Sequence, residues 1–303
     1  MAVKGEGRTL VVVLLMLLGF ANIYTDAISD RMSFGFNEEA DYIELGDFIE
    51  TDGINMDSSS TCDFTQFGSN HSAVLPPLDE CEKFKLIAGE IYHRGTSEDD
   101  KQSILEAHNK LRNKVAGGSE KKGNPGPQPS GANLIELVWN DQLAVSAQGW
   151  ANQCAVKHDK AGNRQTCEYR TVGQNVAHKR GGKKNIPSTR RWDKIVNNLY
   201  NEVKNMPDYV VDKLQKVPKG SVGHYTQLIW AKTREVGCGA VFYYLYKEKK
   251  GKLRKTYGRT FVCNYGPSGN FKGGQVYERG SPASNCENGV STTYENLCAP
   301  LSE

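Results

Sequence analysis

The sequence predicts an α+β protein in which helices pack against a small antiparallel sheet. Apolar residues recur with helical spacing in the first half of the body, a long β-hairpin pattern surrounds residue 250, and strands and helices do not alternate as in a parallel sheet. Of the 303 residues, 38% are hydrophobic and 24% are charged, a balance that excludes a disordered or membrane-embedded chain. The length allows one large domain or two small ones.

Residues 1–27 have the pattern of a secretory signal peptide. Lys4 and Arg8 precede the apolar run Leu10–Leu18, which is shorter than the roughly 20 residues that cross a bilayer. Small residues follow that suit signal cleavage. We therefore expect a secreted, extracellular protein without a membrane span.

Residues 28–61 form an acidic leader with nine acidic residues and one basic residue. The rest of the chain from Cys62 carries 35 basic and 24 acidic residues, so it is strongly basic. We expect the leader to be a disordered, solvated tail or propeptide that screens a basic body, and whether it is cleaved stays open. Tyr42, within NEEADYIE, is a candidate for sulfation.

Three helices are predicted in the body. The first begins after the N-cap Ser97 and ends at Gly117, and the second begins at Asn140. The third spans about Thr189–Asn205 and ends before Pro207. Residues 117–133 contain too much Gly and Pro for a regular element, which indicates an ordered loop or a linker.

A β-hairpin is predicted from Val236–Tyr246 and Tyr257–Tyr265, which flank the charged segment KEKKGKLRK. If the turn centres on Lys250 and Gly251, opposed residues have numbers that sum to 501. Cys238 and Cys263 satisfy this sum, so a cross-strand disulfide between them is plausible.

Eight cysteines are present, and none forms a C-x2-C pair, which disfavours zinc ribbons and thioredoxin-like motifs. An even count in an exported chain predicts four disulfides, although eight cysteines allow 105 connectivities. Cys286 and Cys298 are expected to close a small loop in a tail over residues 276–303. Asn70, in the sequon Asn-His-Ser, is the predicted N-glycosylation site.

Several segments together resemble the CAP superfamily of cysteine-rich secretory, antigen 5 and pathogenesis-related proteins. They are HNKLRNKVA at 108–116, GHYTQLIWAKTREVGCGA at 223–240 and FVCNYGPSGNF at 261–271. GNPGPQP at 123–129, LVWNDQLA at 137–144, WANQC at 150–154 and VGQNVA at 172–177 are most similar to the insect venom allergen 5 branch. The resemblance implies a CAP domain over residues 62–275, with a three-layer α-β-α sandwich around a small central antiparallel sheet.

The resemblance also implies three disulfides: Cys62–Cys167, Cys81–Cys154 and Cys238–Cys263. A further bridge common in venom allergen 5 has neither of its cysteines here. Cys286 and Cys298 lie beyond the usual end of those proteins, and the acidic leader is foreign to the family pattern.

Many CAP domains carry two histidines and two acidic residues around a cleft, and the matching residues are His158, Gln174, Glu202 and His224. Gln174 replaces the first carboxylate. Two imidazoles and one carboxylate suffice for a divalent ion such as zinc or magnesium, with His158 and His224 as ligands. An amide cannot take a proton near neutral pH, however, so the cleft lacks a second carboxylate to act as general base. The alternative is a hydrogen-bonded cluster without metal.

The sequence contains no G-x-S-x-G, H-E-x-x-H or P-loop motif, so catalysis is not expected and no cofactor is required. The resemblance implies sequestration of a small hydrophobic or amphipathic ligand, such as a sterol, fatty acid or eicosanoid, in saliva, venom or body fluid. The loop Pro207–Ser221, with Tyr209, Val210, Val211 and Leu214, would cover the ligand, or these side chains would merely anchor the loop.

Two functions are alternatives to ligand sequestration. The protein could be a scaffold whose loops and tail bind a receptor, channel or adhesion protein, or it could be a metal-dependent hydrolase. The basic clusters Lys179–Arg191 and Lys247–Lys255 could bind heparan sulfate or acidic receptor faces, and are otherwise solvated loops. Nucleic acid is not expected as a partner, because these clusters lack interleaved aromatic residues. We expect a monomeric glycoprotein with the properties of an allergen.

Overall fold

A central sheet organises the part of the chain that the computed structural model describes, residues 62–83, 86–181 and 192–301. Its strands are β1 (Glu80–Lys83), β2 (Leu86–Arg94), β3 (Val138–Trp139), β4 (Gly173–Arg180), β5 (Glu235–Lys249) and β6 (Lys252–Gly266). They lie in the order β1-β2-β5-β6-β4 with antiparallel pairing, and the short β3 pairs parallel to β5. The expected signal peptide, the acidic leader with Tyr42 and most of the cluster Lys179–Arg191 lie outside the described residues.

The described part of the chain contains four α-helices, and the first two begin where their capping residues predict. They are α1 (Glu98–Ala116), α2 (Asp141–Ala151), α3 (Trp192–Tyr200) and α4 (Gly223–Leu228). Ser97 and Asp100 form a reciprocal capping box at α1, and the Asn140 side chain accepts a hydrogen bond from the Leu143 N–H at α2. α3 ends earlier than predicted, because the chain tightens after Tyr200 into a 3-10 turn over Asn201–Asn205.

Each face of the sheet packs against its own layer of helices, because successive residues of a strand point to opposite faces. Ala240 and Phe242 of β5 join a core with α1, α3 and α4. Val241 and Tyr243 join a second core with Ala147 of α2. The expected three-layer α-β-α sandwich is therefore confirmed.

The hairpin has the predicted register. Cys238 pairs with Cys263 and Lys249 with Lys252, so the turn consists of Lys250 and Gly251. Both turn residues have positive φ, 54° and 69°, as in the two-residue turns that match the twist of a β-ribbon.

Four disulfides join the described cysteines: Cys62–Cys167, Cys81–Cys154, Cys238–Cys263 and Cys286–Cys298. These are the expected pairs. The last one closes the expected loop, but this loop does not stand apart from the body. Leu297 is fully buried in the main core, and the Cys298 N–H donates to the Leu134 carbonyl.

The Gly- and Pro-rich segment 117–133 is an ordered loop and not a linker. Glu120 within it is 1% exposed. Its carboxylate accepts hydrogen bonds from the Lys114 ammonium, the Tyr200 hydroxyl and the Lys122 N–H. The loop is therefore fixed to α1 and α3.

Candidate functional site

The four cleft residues form two hydrogen-bonded pairs. The first pair joins exposed His158, in the chain after α2, to buried Gln174 of β4. The distance between His158 Nδ1 and Gln174 Oε1 is 3.0 Å, and Gln174 Nε2 donates to Asn264 Oδ1 at 3.1 Å. Because the amide oxygen can only accept, His158 carries its proton on Nδ1 in this arrangement.

The second pair joins Glu202, in the 3-10 turn after α3, to His224 in the first turn of α4. His224 Nδ1 lies 3.0 Å from Glu202 Oε1, and the His224 N–H donates to Oε2 at 2.7 Å. Burial alone would raise the pKa of Glu202, but the hydrogen bonds from His224 and from the Tyr225 N–H outweigh it and leave that pKa below its usual value. Glu202 is therefore an ionised acceptor whose lone pairs are largely occupied.

Asn175 contacts the second pair. It follows Gln174 on β4, and its Nδ2 lies 3.2 Å from the His224 carbonyl oxygen and 3.3 Å from the Tyr265 hydroxyl. The Tyr265 hydroxyl in turn lies 3.0 Å from His108 Nε2. Asn175, Tyr265 and His108 thus form a buried polar network next to His224.

His108 of α1 belongs to this network, and Arg112 lies one turn further along the same helix. Burial lowers the pKa of His108 to about 4, against a smaller opposing effect from its hydrogen bond to the Ile104 carbonyl. The Arg112 guanidinium donates to the carbonyls of Ile135, Leu228 and Trp230. Sequence analysis assigned neither residue this role, although the four-residue spacing of His108 and Arg112 places both on one helical face.

The two histidines are the groups that could hold a divalent ion. Each has Nδ1 at 3.0 Å from an oxygen, of Gln174 or Glu202, and donation of the Nδ1 proton leaves the Nε2 lone pair available, as in metal-ligating histidines. Within the described residues, however, no group of three or more His, Cys, Asp or Glu side chains could hold a metal. The metal site therefore stays a prediction that rests on His158 and His224 alone.

Two adjoining cavities lie away from the cleft, between the body and the tail. One has a volume of about 360 Å³ and the other of about 230 Å³, and both are lined by Asn133, Ala231 and Lys232. Trp230, Phe271 and Tyr277 line the smaller cavity, whereas Arg234 lines the larger one. These residues are far apart in sequence, so no local pattern indicated the cavities.

The loop Pro207–Ser221 borders this region and is fastened to the core. Val210 and Val211 are fully buried, whereas Tyr209 is 45% exposed. The Leu214 N–H donates to the Gly274 carbonyl, beside the smaller cavity. The two valines therefore anchor the loop.

Asn70, the predicted glycosylation site, is exposed in the turn between Cys62 and Cys81. Its neighbours in the sequon are buried, and the Ser72 hydroxyl donates to Asp159 Oδ2 at 2.5 Å. The exposed amide is compatible with an attached glycan, and glycosylation stays a prediction.

The layers of helices around the sheet and the four disulfides among the described cysteines define a disulfide-bonded α-β-α protein. The model of the CAP cysteine-rich secretory protein family matches residues 105–265. The chain belongs to this family.

Insect venom proteins are among its relatives. The chain is 44% identical to venom allergen 5 of Polistes fuscatus over 61% of this chain and 82% of the relative. It is 44% identical to venom allergen 5 of Polybia scutellaris rioplatensis over 67% of this chain and 88% of the relative. It is 35% identical to a venom allergen 3 homolog of Dinoponera quadriceps over 78% and 94% of the two chains. The chain is therefore antigen 5-like.

Solved structures agree with this assignment. BmVAL-1 superimposes with a TM-score of 0.55 at 26% identity, covering 68% of this chain and 96% of BmVAL-1. Na-ASP-1 gives a TM-score of 0.52 at 25% identity and covers 74% of this chain and 51% of its own. In the described part of the chain, no helix combines the length and apolar character that crossing a membrane requires.

Proposed function

We propose that the protein is a secreted, non-enzymatic binding protein that sequesters a small amphipathic ligand with an apolar body and an anionic group. A fatty acid or an eicosanoid has this chemistry. The observation that carries the proposal is the pair of adjoining cavities that share Lys232. The four disulfides and the secretory relatives support an extracellular location.

The smaller cavity supplies apolar contacts. Trp230 is 3% exposed and lies at its wall, whereas Phe271 is 52% exposed, with ring centroids 6.2 Å apart. A phenylalanine left half in water next to a cavity can gain buried area when a ligand enters. The loop Pro207–Ser221 supports the cavity wall through the hydrogen bond from the Leu214 N–H to the carbonyl of the lining residue Gly274.

Lys232 supplies the charge. It is exposed at the junction of the two cavities, and within the described residues its ammonium forms no ion pair or hydrogen bond. Arg234 lines the larger cavity nearby. A ligand carboxylate placed here would pair with Lys232 while its chain lies against Trp230 and Phe271.

The cleft supports a non-enzymatic role. Gln174 cannot accept a proton near neutral pH, and Glu202 is held ionised by three hydrogen bonds. A base for hydrolysis would have to be one of the two histidines, and neither is hydrogen-bonded to a serine, threonine or cysteine in the described structure. The arrangement lacks the base-activated nucleophile of covalent catalysis.

Native mass spectrometry of the secreted full-length protein tests the proposal. We expect the wild-type protein to carry a fatty-acid adduct that denaturation releases. The double variant Lys232→Gln, Phe271→Ser should no longer retain this adduct. The double variant Lys160→Gln, Leu253→Ser is the matched control, since it removes an exposed lysine and an exposed apolar side chain away from both cavities. Failure of oleic and arachidonic acid to bind the wild-type protein would overturn the proposal and favour the protein-binding alternative.

A further inference from the structure

The outer end of the hairpin carries a concentrated positive charge. Residues 247–255 are all exposed and contain six basic residues and one acidic residue. β2 pairs with β5 only as far as Tyr246, and β4 pairs with β6 only as far as Gly258. Among the described strands, none covers the hairpin beyond these points, so its end is a two-stranded ribbon in solvent.

The register places four of the bases on one face. Opposed residues of an antiparallel pair share a face, and so do residues two apart on one strand. Lys247 lies opposite Arg254, and Lys249 lies opposite Lys252. These four residues form the cationic face of the ribbon, within about 7 Å along the strands and about 5 Å across them.

The other face of the ribbon is chemically different. Glu248 lies opposite Leu253 there, so the one acidic residue is not paired across the strands with any base of the cationic face. Lys255 is also on that second face, where its ammonium lies 3.4 Å from the centre of the Tyr244 ring. The basic residues of the segment are therefore sorted by face.

The cationic face is not explained by stability. Like charges directly opposite each other destabilise a β-pair, and both of its cross-strand pairs are of like charge. Within the described residues, no ion pair or hydrogen bond engages the side chains of Lys247, Lys249, Lys252 and Arg254. A linear polyanion would neutralise four adjacent cations and remove the repulsion between them.

We propose that the cationic face binds a sulfated glycosaminoglycan. Sulfate groups repeat along such a chain and are accessible outside the cell, where the disulfides place this protein. A lipid surface fits less well, because Leu253, the exposed apolar residue of the ribbon, lies on the opposite face. The proposal is independent of the cavities and of the proposed ligand.

The test is binding of the secreted full-length protein to a heparin dodecasaccharide, measured by calorimetry at several NaCl concentrations. The variant with Lys247→Gln, Lys249→Gln, Lys252→Gln and Arg254→Gln should bind at least tenfold more weakly. Its log–log salt dependence should be shallower by about three units, because fewer counterions are released. The matched control, Lys157→Gln, Lys160→Gln, Lys216→Gln and Lys219→Gln, removes the same charge from exposed sites and should bind nearly as the wild type does.

Equally weakened heparin binding in the cationic-face variant and in the control would show that binding depends on net charge only, and it would overturn the proposal. Equal binding of wild-type protein to fully desulfated heparin, or to phosphatidylserine vesicles, would also overturn it. Thermal unfolding checks the fold: the melting temperature of the cationic-face variant should match or exceed that of the wild type, since the variant removes two like-charged pairs.

Discussion

The two ends of the β5–β6 hairpin belong to the same pair of strands but are stabilised differently. The inner end is buried between two layers of helices and includes Cys238, Cys263 and Tyr265. A disulfide joins Cys238 to Cys263. At the outer end, like charges oppose each other in solvent. The inner end is thus stabilised by packing and a disulfide, whereas the outer end has a sequence that opposes its own strand pairing.

The largest expected effect is at the inner end, where Gly237 faces α2. A Cβ atom at Gly237 would lie 2.2 Å from the Ala144 nitrogen and 2.5 Å from the Asn140 oxygen, both in the backbone. Gly237→Ala should therefore lower the free energy of unfolding by about 3 kcal/mol or more. Urea unfolding measures this loss, and Leu253→Ala at the outer end is the control, expected to change stability by under about 0.5 kcal/mol. Similar effects of the two substitutions would remove the contrast between the ends.

The inner end should also respond to acid. His108, which contacts Tyr265, has a pKa of about 4 in the folded protein, whereas an unfolded histidine titrates near 6.5. Between these two pKa values the unfolded chain binds one more proton than the folded protein. The stability that neutral, buried His108 contributes is therefore fully present above about pH 6.5 and is lost as the pH falls to about 4, by up to about 3 kcal/mol.

Urea midpoints at pH 7 and pH 4.5 check this pH dependence. His108→Asn should be less stable at pH 7 and should lose less on acidification than the wild type. Lys247→Gln, at the outer end, should lose as much as the wild type. An unchanged acid response in His108→Asn would assign the effect to other groups.

A substitution in the Lys250-Gly251 turn should increase the stability of the protein. Lys250 adopts a φ of 54°, which costs most L-residues about 1 kcal/mol and asparagine less. Lys250→Asn should raise the free energy of unfolding by about 0.5 kcal/mol, with heparin binding little changed because residue 250 is not part of the cationic face. Lys250→Val is the opposite control and should destabilise. A stabilising valine would contradict the turn geometry.

A substitution with an equally small expected effect on stability tests the charge repulsion at the outer end directly. Lys247→Glu places opposite charges across from each other at the Arg254 pair and should stabilise the hairpin by about 0.5 kcal/mol. The same substitution should weaken binding to the heparin dodecasaccharide. Thermal unfolding and calorimetry on one sample give both readouts. Loss of stability would show that the outer end is not under repulsion.

Local chemistry made much of the fold predictable. Ser97 and Asn140 mark helix starts through their own side-chain hydrogen bonds, and the Lys250-Gly251 turn fixes the register of every pair up to Cys238–Cys263. The strands β2 and β4 were not predicted, because their polar residues break the alternation that marks a strand. Their pairing depends on β5 and β6, which lie far away in the sequence.

The candidate site was predictable in part. The resemblance to CAP proteins pointed to His158, Gln174, Glu202 and His224, and the structure shows how each histidine is paired. The cavities beside Lys232 were not predictable, since the tail forms part of their wall only after it packs on the body. Arg112 was missed because an arginine in a helix usually lies in solvent, whereas this one is buried and donates hydrogen bonds to the backbone carbonyls of Ile135, Leu228 and Trp230.

The hairpin end has another consequence, for how copies of the protein meet one another. An uncovered β-ribbon presents unpaired backbone N–H and C=O groups that can add a strand from another chain. Lysines and an arginine along the ribbon of every copy repel such a neighbour. The same charges that would hold a sulfated sugar chain thus also guard against self-assembly, and variants that remove them should be handled at low protein concentration.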